Sequence, residues 1–123
     1  MMSASPARAG RMAEDHVLEH LQGLGLTLIA RNWRCRGGEL DLVMLDANTV
    51  VFVEVRYRLH ASFGGAAGSV DYRKQQRLAL AATVFLQRHA CWANHPCRFD
   101  VVALQGSDHA GEPLQWLKNA FDC

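Results

Sequence analysis

Two stretches, Glu39 to Asp46 and Thr49 to Arg58, alternate with a period of two and are separated only by Ala47 and Asn48. Successive side chains of a strand point to opposite faces, so the pattern predicts two adjacent antiparallel strands. In the first, Glu39, Asp41, Val43 and Leu45 share a face. In the second, Val50, Phe52, Glu54, Arg56 and Arg58 share one, with Val51, Val53 and Val55 on the other. The register decides what the acids can do. A two-residue loop pairs Asp46 with Thr49 and Leu45 with Val50, and the same count sets Asp41 opposite Glu54 and Glu39 opposite Arg56. A four-residue loop preserves that pairing, whereas a three-residue loop puts the two acids on opposite faces, because a one-residue slip flips every side chain. Ala-Asn is not the favoured hairpin dipeptide. The first register is adopted because it keeps Leu45 and Val50 on one apolar face.

The rest of the chain reads as elements around this hairpin. From Arg11 to about Leu24, the residues Val17, Leu18, Leu21 and Leu24 recur at helical spacing. Glu14 lies ~40° from Leu18 and ~20° from Leu21 on that wheel, so it falls on the apolar face. Either it is an acid favoured by the positive end of the helix, or it serves a site. Gly23 and Gly25 end the helix, Leu26 to Cys35 reads as a strand, and Gly37-Gly38 as a turn. Leu59 to Gly68, rich in Gly and Ala, reads as a mobile loop. Ser69 then caps a helix from about Val70 to His89 with Leu78, Ala81, Ala82, Phe85 and Leu86 as its buried stripe. Strands at about Cys97 to Leu104 and Pro113 to Leu117 close the domain. The expectation is an α/β fold in the order α-β-β-β-α-β-β, one domain over residues 11–123 behind a flexible lead at residues 1–10.

Charge and cysteine usage narrow the function classes. The net charge is only +1, but residues 31–77 hold eight basic groups against five acidic ones. The basic surplus therefore sits in the segment that also carries the paired acids, as a phosphate-binding face or a merely solvated one would have it. No apolar run reaches the ~20 residues of a membrane span, and no signal-peptide core is seen. A cytoplasmic protein without membrane contact is expected, with Cys35, Cys91, Cys97 and Cys123 reduced. His89, Cys91, His95 and Cys97 are of types that zinc accepts. They straddle a helix end and Pro96 in a spacing that matches no common zinc module, so they read as a helix terminus with incidental thiols.

Two acids directly opposite on neighbouring strands have Cβ atoms ~5 Å apart, close enough to share one ion. Magnesium is held by one or two carboxylates, with waters and phosphate oxygens completing its shell. In phosphodiester hydrolysis it helps to ionise a water and offsets crowded negative charge, and a cation beside it stabilises the transition state. Gly38-Glu39-Leu40-Asp41, twelve intervening residues, then Glu54-Val55-Arg56 provide these parts in order. The competing reading is a cross-strand charge ladder on a solvated sheet. Against it stand Val51, Val53 and Val55, which imply a central, buried strand where facing like charges destabilise unless a cation joins them.

The stretches Arg31-Asn32-Trp33-Arg34, Gly38 to Val43, Phe52 to Arg58, Phe63-Gly64, Lys74, Arg98 to Val102 and Asn119-Ala120-Phe121 together resemble one family. It is the YraN-like family of predicted bacterial endonucleases, distant relatives of archaeal Holliday-junction resolvases in the restriction-endonuclease-like, PD-(D/E)XK, superfamily. The resemblance runs from about Gly10 to Phe121. It implies a restriction-endonuclease-like core with a mixed central sheet flanked by helices, and a Mg2+- or Mn2+-dependent endonuclease acting on structured or branched DNA. It makes Asp41 and Glu54 the metal ligands, Glu14 the helix acid that completes such sites, and Glu39 their support. The superfamily's lysine position holds Arg56, which steadies a phosphate but cannot act as a base at neutral pH. Lys74 and Lys118 are the only lysines, and Lys74 is expected to replace the missing ammonium. Arg34, Arg36, Arg58, Arg73 and Arg77 are expected to touch phosphates, and a junction cutter, needing two sites, is expected as a homodimer. The alternative is a non-catalytic nucleic-acid-binding module that keeps the fold, a reading favoured by Arg56.

Overall fold

Ala13, Val17 and Leu21, four residues apart, are buried along one stripe of helix α1, Pro6–Gly23. Helix α1 ends at a left-handed Gly25 (φ 99°), around which Leu26 N donates to Leu21 O (3.1 Å) and Gly25 N to Gln22 O (3.0 Å). These are the paired bonds that a glycine past a helix end allows. The helix begins at Pro6, where a fixed φ suits a first turn, five residues before the expected start at Arg11. The structure, a computed structural model, describes residues 6–58, 70–105 and 114–121. The loop expected at Leu59 to Gly68, the cap expected at Ser69, and Pro113 lie outside these.

Strands β1 (Thr27–Cys35), β2 (Gly38–Asp46), β3 (Thr49–Arg58), β4 (Cys97–Gln105) and β5 (Leu114–Phe121) form one sheet in that order. The β1–β2, β2–β3 and β4–β5 pairs are antiparallel and β3–β4 is parallel, so the sheet is mixed and the element order is the expected one. Strand β5 runs on to Phe121 instead of ending at Leu117. Helix α2 (Tyr72–Arg88) connects the parallel pair, as a parallel connection requires. Its cap is Asp71, whose Oδ1 accepts from Lys74 N at 2.8 Å.

One helix covers each face. On the α2 face Leu78, Ala81, Ala82 and Phe85 pack with Val43, Val50, Phe52 and Phe99; on the α1 face Ala13, Val17 and Leu21 pack with Leu42, Met44, Val51 and Val53. Val50 to Val53 are buried on both faces, which makes β3 the central strand. Phe85 meets Trp33 and Phe52 edge-on at 5.3 and 6.2 Å. Burying a ring this size stabilises by about 1.5–3 kcal/mol. On β4, Asp100 is fully buried yet accepts from Arg98 Nε (3.0 Å), Trp116 Nε1 (2.9 Å) and Asn119 N (2.9 Å). It thereby ties β5 to β4 where their register shifts between Phe99 and Val101. No described helix is long and apolar enough to cross a membrane.

Candidate active site

The β2–β3 hairpin closes through the two-residue loop: Asp46 pairs with Thr49, Leu45 with Val50 and Leu42 with Val53, while Ala47 takes a φ of 54° to make the turn. At the next step the ladder stops. Asp41 Oδ2 accepts the Val55 amide at 2.9 Å, so this carboxylate takes the place of a backbone acceptor and lies between the two strands. Glu54 stands beside it, lining the same cleft and only 5 % exposed.

The expected sharing of one face by Glu39, Asp41, Val43 and Leu45 does not hold along the whole strand. Leu42 and Met44 pack toward α1, whereas Leu40 packs with Val43 toward α2. The alternation is broken at Asp41. Glu39 finds a partner on β1, where Arg34 Nε lies 2.8 Å from its Oε2.

Three acids converge electrostatically on this break. Burial, then the charge of Asp41 and the hydrogen bond to it, push Glu54 up to about 8, against the pull of Lys74 and Arg56. Glu14, reaching down from α1, is raised by burial and by the Asp41 charge, and is lowered by Arg31 and Asn32. Arg31 Nε stands 3.6 Å from Glu14 Oε1, too far for a hydrogen bond, and both atoms are buried without one. Of the two readings of Glu14, the helix-end one fails, because α1 starts eight residues earlier at Pro6 and has no acid in its first turn, whereas the charge of Asp41 does act on Glu14. Among the described residues no three His, Cys, Asp or Glu side chains form a closed metal set; the core of the site is the pair Asp41 and Glu54.

A cleft of about 380 Å³ opens beside that pair, lined by Glu39, Asp41, Glu54, Lys74 and Arg77 over a floor at Gly37-Gly38. Lys74 Nζ is 3.4 Å from Glu54 Oε1. The Asp71 cap fixes where the Lys74 backbone begins, and Gly38 fixes how close α2 comes. A Cβ at Gly38 would lie 2.6 Å from Arg77 O and 2.9 Å from Ala81 Cβ, so any other residue would push helix and strand apart.

Of the arginines expected to meet phosphate, Arg77 lines the cleft, Arg73 is exposed one turn earlier, Arg36 is exposed in the β1–β2 turn and Arg34 is paired with Glu39. The side chain of Arg58 lies outside the described residues. The His and Cys group near residue 90 does not converge: His89 Nδ1 meets Phe85 O at 2.8 Å and His95 Nδ1 meets Asn48 O at 2.9 Å. Sequence reasoning missed Asn32, Arg31 and Gly38 as parts of the site. The first two were visible only as part of the Arg31-Asn32-Trp33-Arg34 stretch, and Gly38 only as half of a turn and the first residue of the Gly38-Glu39-Leu40-Asp41 stretch, with no sign that its missing side chain sets the helix spacing.

Residues 13–104 match the profile described as "Uncharacterised protein family UPF0102". A UPF0102 protein of Pseudomonas putida is 76% identical over 123 residues, covering 100% of both chains. One of Pseudomonas entomophila is 75% identical over the same length, and one of Pseudomonas syringae pv. syringae is 57% identical over 122 residues, 99% of each chain.

Proposed function

The chain belongs to the uncharacterised protein family UPF0102, and from that footing and its site we propose that it is a metal-dependent endonuclease of restriction-endonuclease-like fold. Its substrate on this reading is structured or branched DNA, cut by phosphodiester hydrolysis, with Mg2+ or Mn2+ as cofactor and a homodimer as the working form. The observation that carries the reading is the pair Asp41 and Glu54 beside a lysine ammonium 3.4 Å from Glu54, with the Asp41 charge felt by Glu14 as well.

A divalent cation fits this donor set. The groups are all carboxylates, the preferred ligands of hard ions. Glu54 is buried at a cost that pushes its ionisation to about 8, and Glu14 Oε1 is buried with no hydrogen bond. Asp41 and Glu54 would hold the ion, which when bound supplies positive charge to a phosphate and eases the ionisation of water. The protein's own groups do the rest. Asp41, pinned by the Val55 amide, cannot swing away. Lys74, held at the first turn of α2, is placed to exchange Glu54 for a phosphate oxygen. Arg77 at the rim and Arg56 near Glu54 add charge for a polyanion, and arginine grips phosphate with two parallel hydrogen bonds.

Arg56 favours a second reading, a binding module that has lost turnover, because a guanidinium does not take up a proton at neutral pH. Cleavage assays on linear, single-stranded and four-way-junction DNA with Mg2+ or Mn2+ separate the two. The endonuclease cuts; Asp41→Asn abolishes cutting and leaves DNA affinity equal or higher. Lys74→Ala lowers the rate more than the affinity, and Arg56→Lys cuts at least as well as wild type. A wild-type protein that binds DNA but cuts none of these substrates with either metal makes the binding module the correct reading.

A further inference from the structure

In a regular strand residues i and i+2 face the same way. Arg31 and Trp33 do not. Arg31 pairs with Glu14 and Asp15 of α1, while Trp33 packs on Phe85 of α2. Their ladder partners behave alike: Leu42, opposite Arg31, faces α1, and Leu40, opposite Trp33, faces α2. Both strands therefore turn over at one step, and the residues at that step are Asn32 and Asp41. Asn32 has a φ of 51°, a left-handed conformation that asparagine tolerates better than other residues with a side chain. Its side chain stands near enough to the Glu14 carboxyl to favour that group's ionised form.

This matters because a sheet is a wall. An acid on α1 lies over one face, and Glu54, in line with Phe52, belongs to the other. Only where the strands turn over can a carboxylate in the plane of the sheet be approached from both sides, and Asp41 occupies that place. We propose that Asn32 is the positioning residue of the acid site: its left-handed backbone turns β1 over, and its side-chain amide holds Glu14 against Asp41. Arg31 assists from the same strand, steering Glu14 by charge. Asn32 itself touches neither metal nor substrate. The proposal rests on the acid-site reading above for its purpose, but not for its geometry.

The test separates the two. In metal-free protein, nuclear Overhauser contacts between the Asn32 side-chain amide protons and the Glu14 Hγ protons are expected; their absence overturns the proposal. Asn32→Gly keeps the backbone conformation and removes the amide. It is expected to melt close to wild type and to bind Mn2+ about 10-fold or more weakly by calorimetry, as removal of a group behind a metal ligand does. Glu14→Gln should lose as much, and the double variant no more than either. Wild-type affinity in Asn32→Gly, or losses that add in the double variant, overturns the proposal. Asn32→Ala, which also strains the backbone, should melt below Asn32→Gly; equal melting overturns the backbone half. If wild-type protein binds no Mn2+ at all, the acid-site reading fails on its own, and the Overhauser contacts still decide the Asn32–Glu14 tie.

Discussion

Replacing Glu54 by glutamine should make the protein more stable in alkali and change little in acid. Glu54 is 5 % exposed and its ionisation is pushed from 4.5 up to about 8, first by burial and then by Asp41. A carboxyl whose folded value is raised binds its proton more tightly in the folded state. Its contribution to stability is thus complete below pH 4.5, declines as pH rises, and is exhausted above pH 8. At about 1.4 kcal/mol per pH unit, the span between the two values is worth about 5 kcal/mol. Glutamine resembles the protonated acid in shape and in offering a donor to Asp41, yet it never ionises. Urea unfolding at pH 5 should place the two proteins within about 1 kcal/mol of each other, and at pH 8.5 the Glu54→Gln variant should lead by up to about 4 kcal/mol. Adding Mg2+ at pH 8.5 should close the gap from the wild-type side, since a ligand of the folded state stabilises it. A stability difference that does not change with pH, or a variant that loses ground in alkali, would refute the argument that Glu54 is buried against an anion.

Three further outcomes test other parts of the molecule. Gly38→Ala places a methyl 2.6 Å from Arg77 O; it should cost about 1–3 kcal/mol in urea unfolding and, by lifting α2 and Lys74 from the sheet, reduce metal-dependent activity beyond the stability loss. Asp100→Asn removes the buried charge facing Arg98 and sets an NH2 against the donors at one of the two oxygen positions, which accept from Arg98, Trp116 and Asn119, so a loss of about 3–5 kcal/mol is expected from thermal or urea unfolding. Arg77→Ala should reduce the slope of log affinity against log salt for DNA by about one unit; an unchanged slope would remove Arg77 from the phosphate contacts.

The hairpin could be read in advance because its causes are local. Alternation along Thr49–Arg58 declares a strand, the unbroken run Val50-Val51-Phe52-Val53 declares a central one, and keeping Leu45 with Val50 on one apolar face selects the two-residue register over a three-residue loop. The register holds even though Ala47 must adopt a positive φ, since burying Leu45 and Val50 together outweighs ~1–2 kcal/mol of backbone strain. The stripe on α2 was legible for the same reason, with the boundary moved to the better cap, Asp71. Helix α1 starts earlier than Arg11 because Pro6 suits a first helical turn, whereas the apolar spacing that marks a helix begins only with Ala13 and Val17.

Left to itself, the sequence determined which segments become strands and helices, that β3 would be central, and that Asp41 and Glu54 would be neighbours across a hairpin. Each follows from contacts between residues near in the chain, where spacing alone sets geometry. Only the tertiary structure decided that Glu14 would join them, that Glu39 would turn to Arg34, and that Lys74 would reach Glu54. Those outcomes depend on two helices packing on opposite faces of one sheet, on the close approach that Gly38 permits, and on the step at Asn32 and Asp41 where the strands turn over. Spacing carries no signal for such a step, because the gain that offsets a left-handed residue comes from partners on both faces at once.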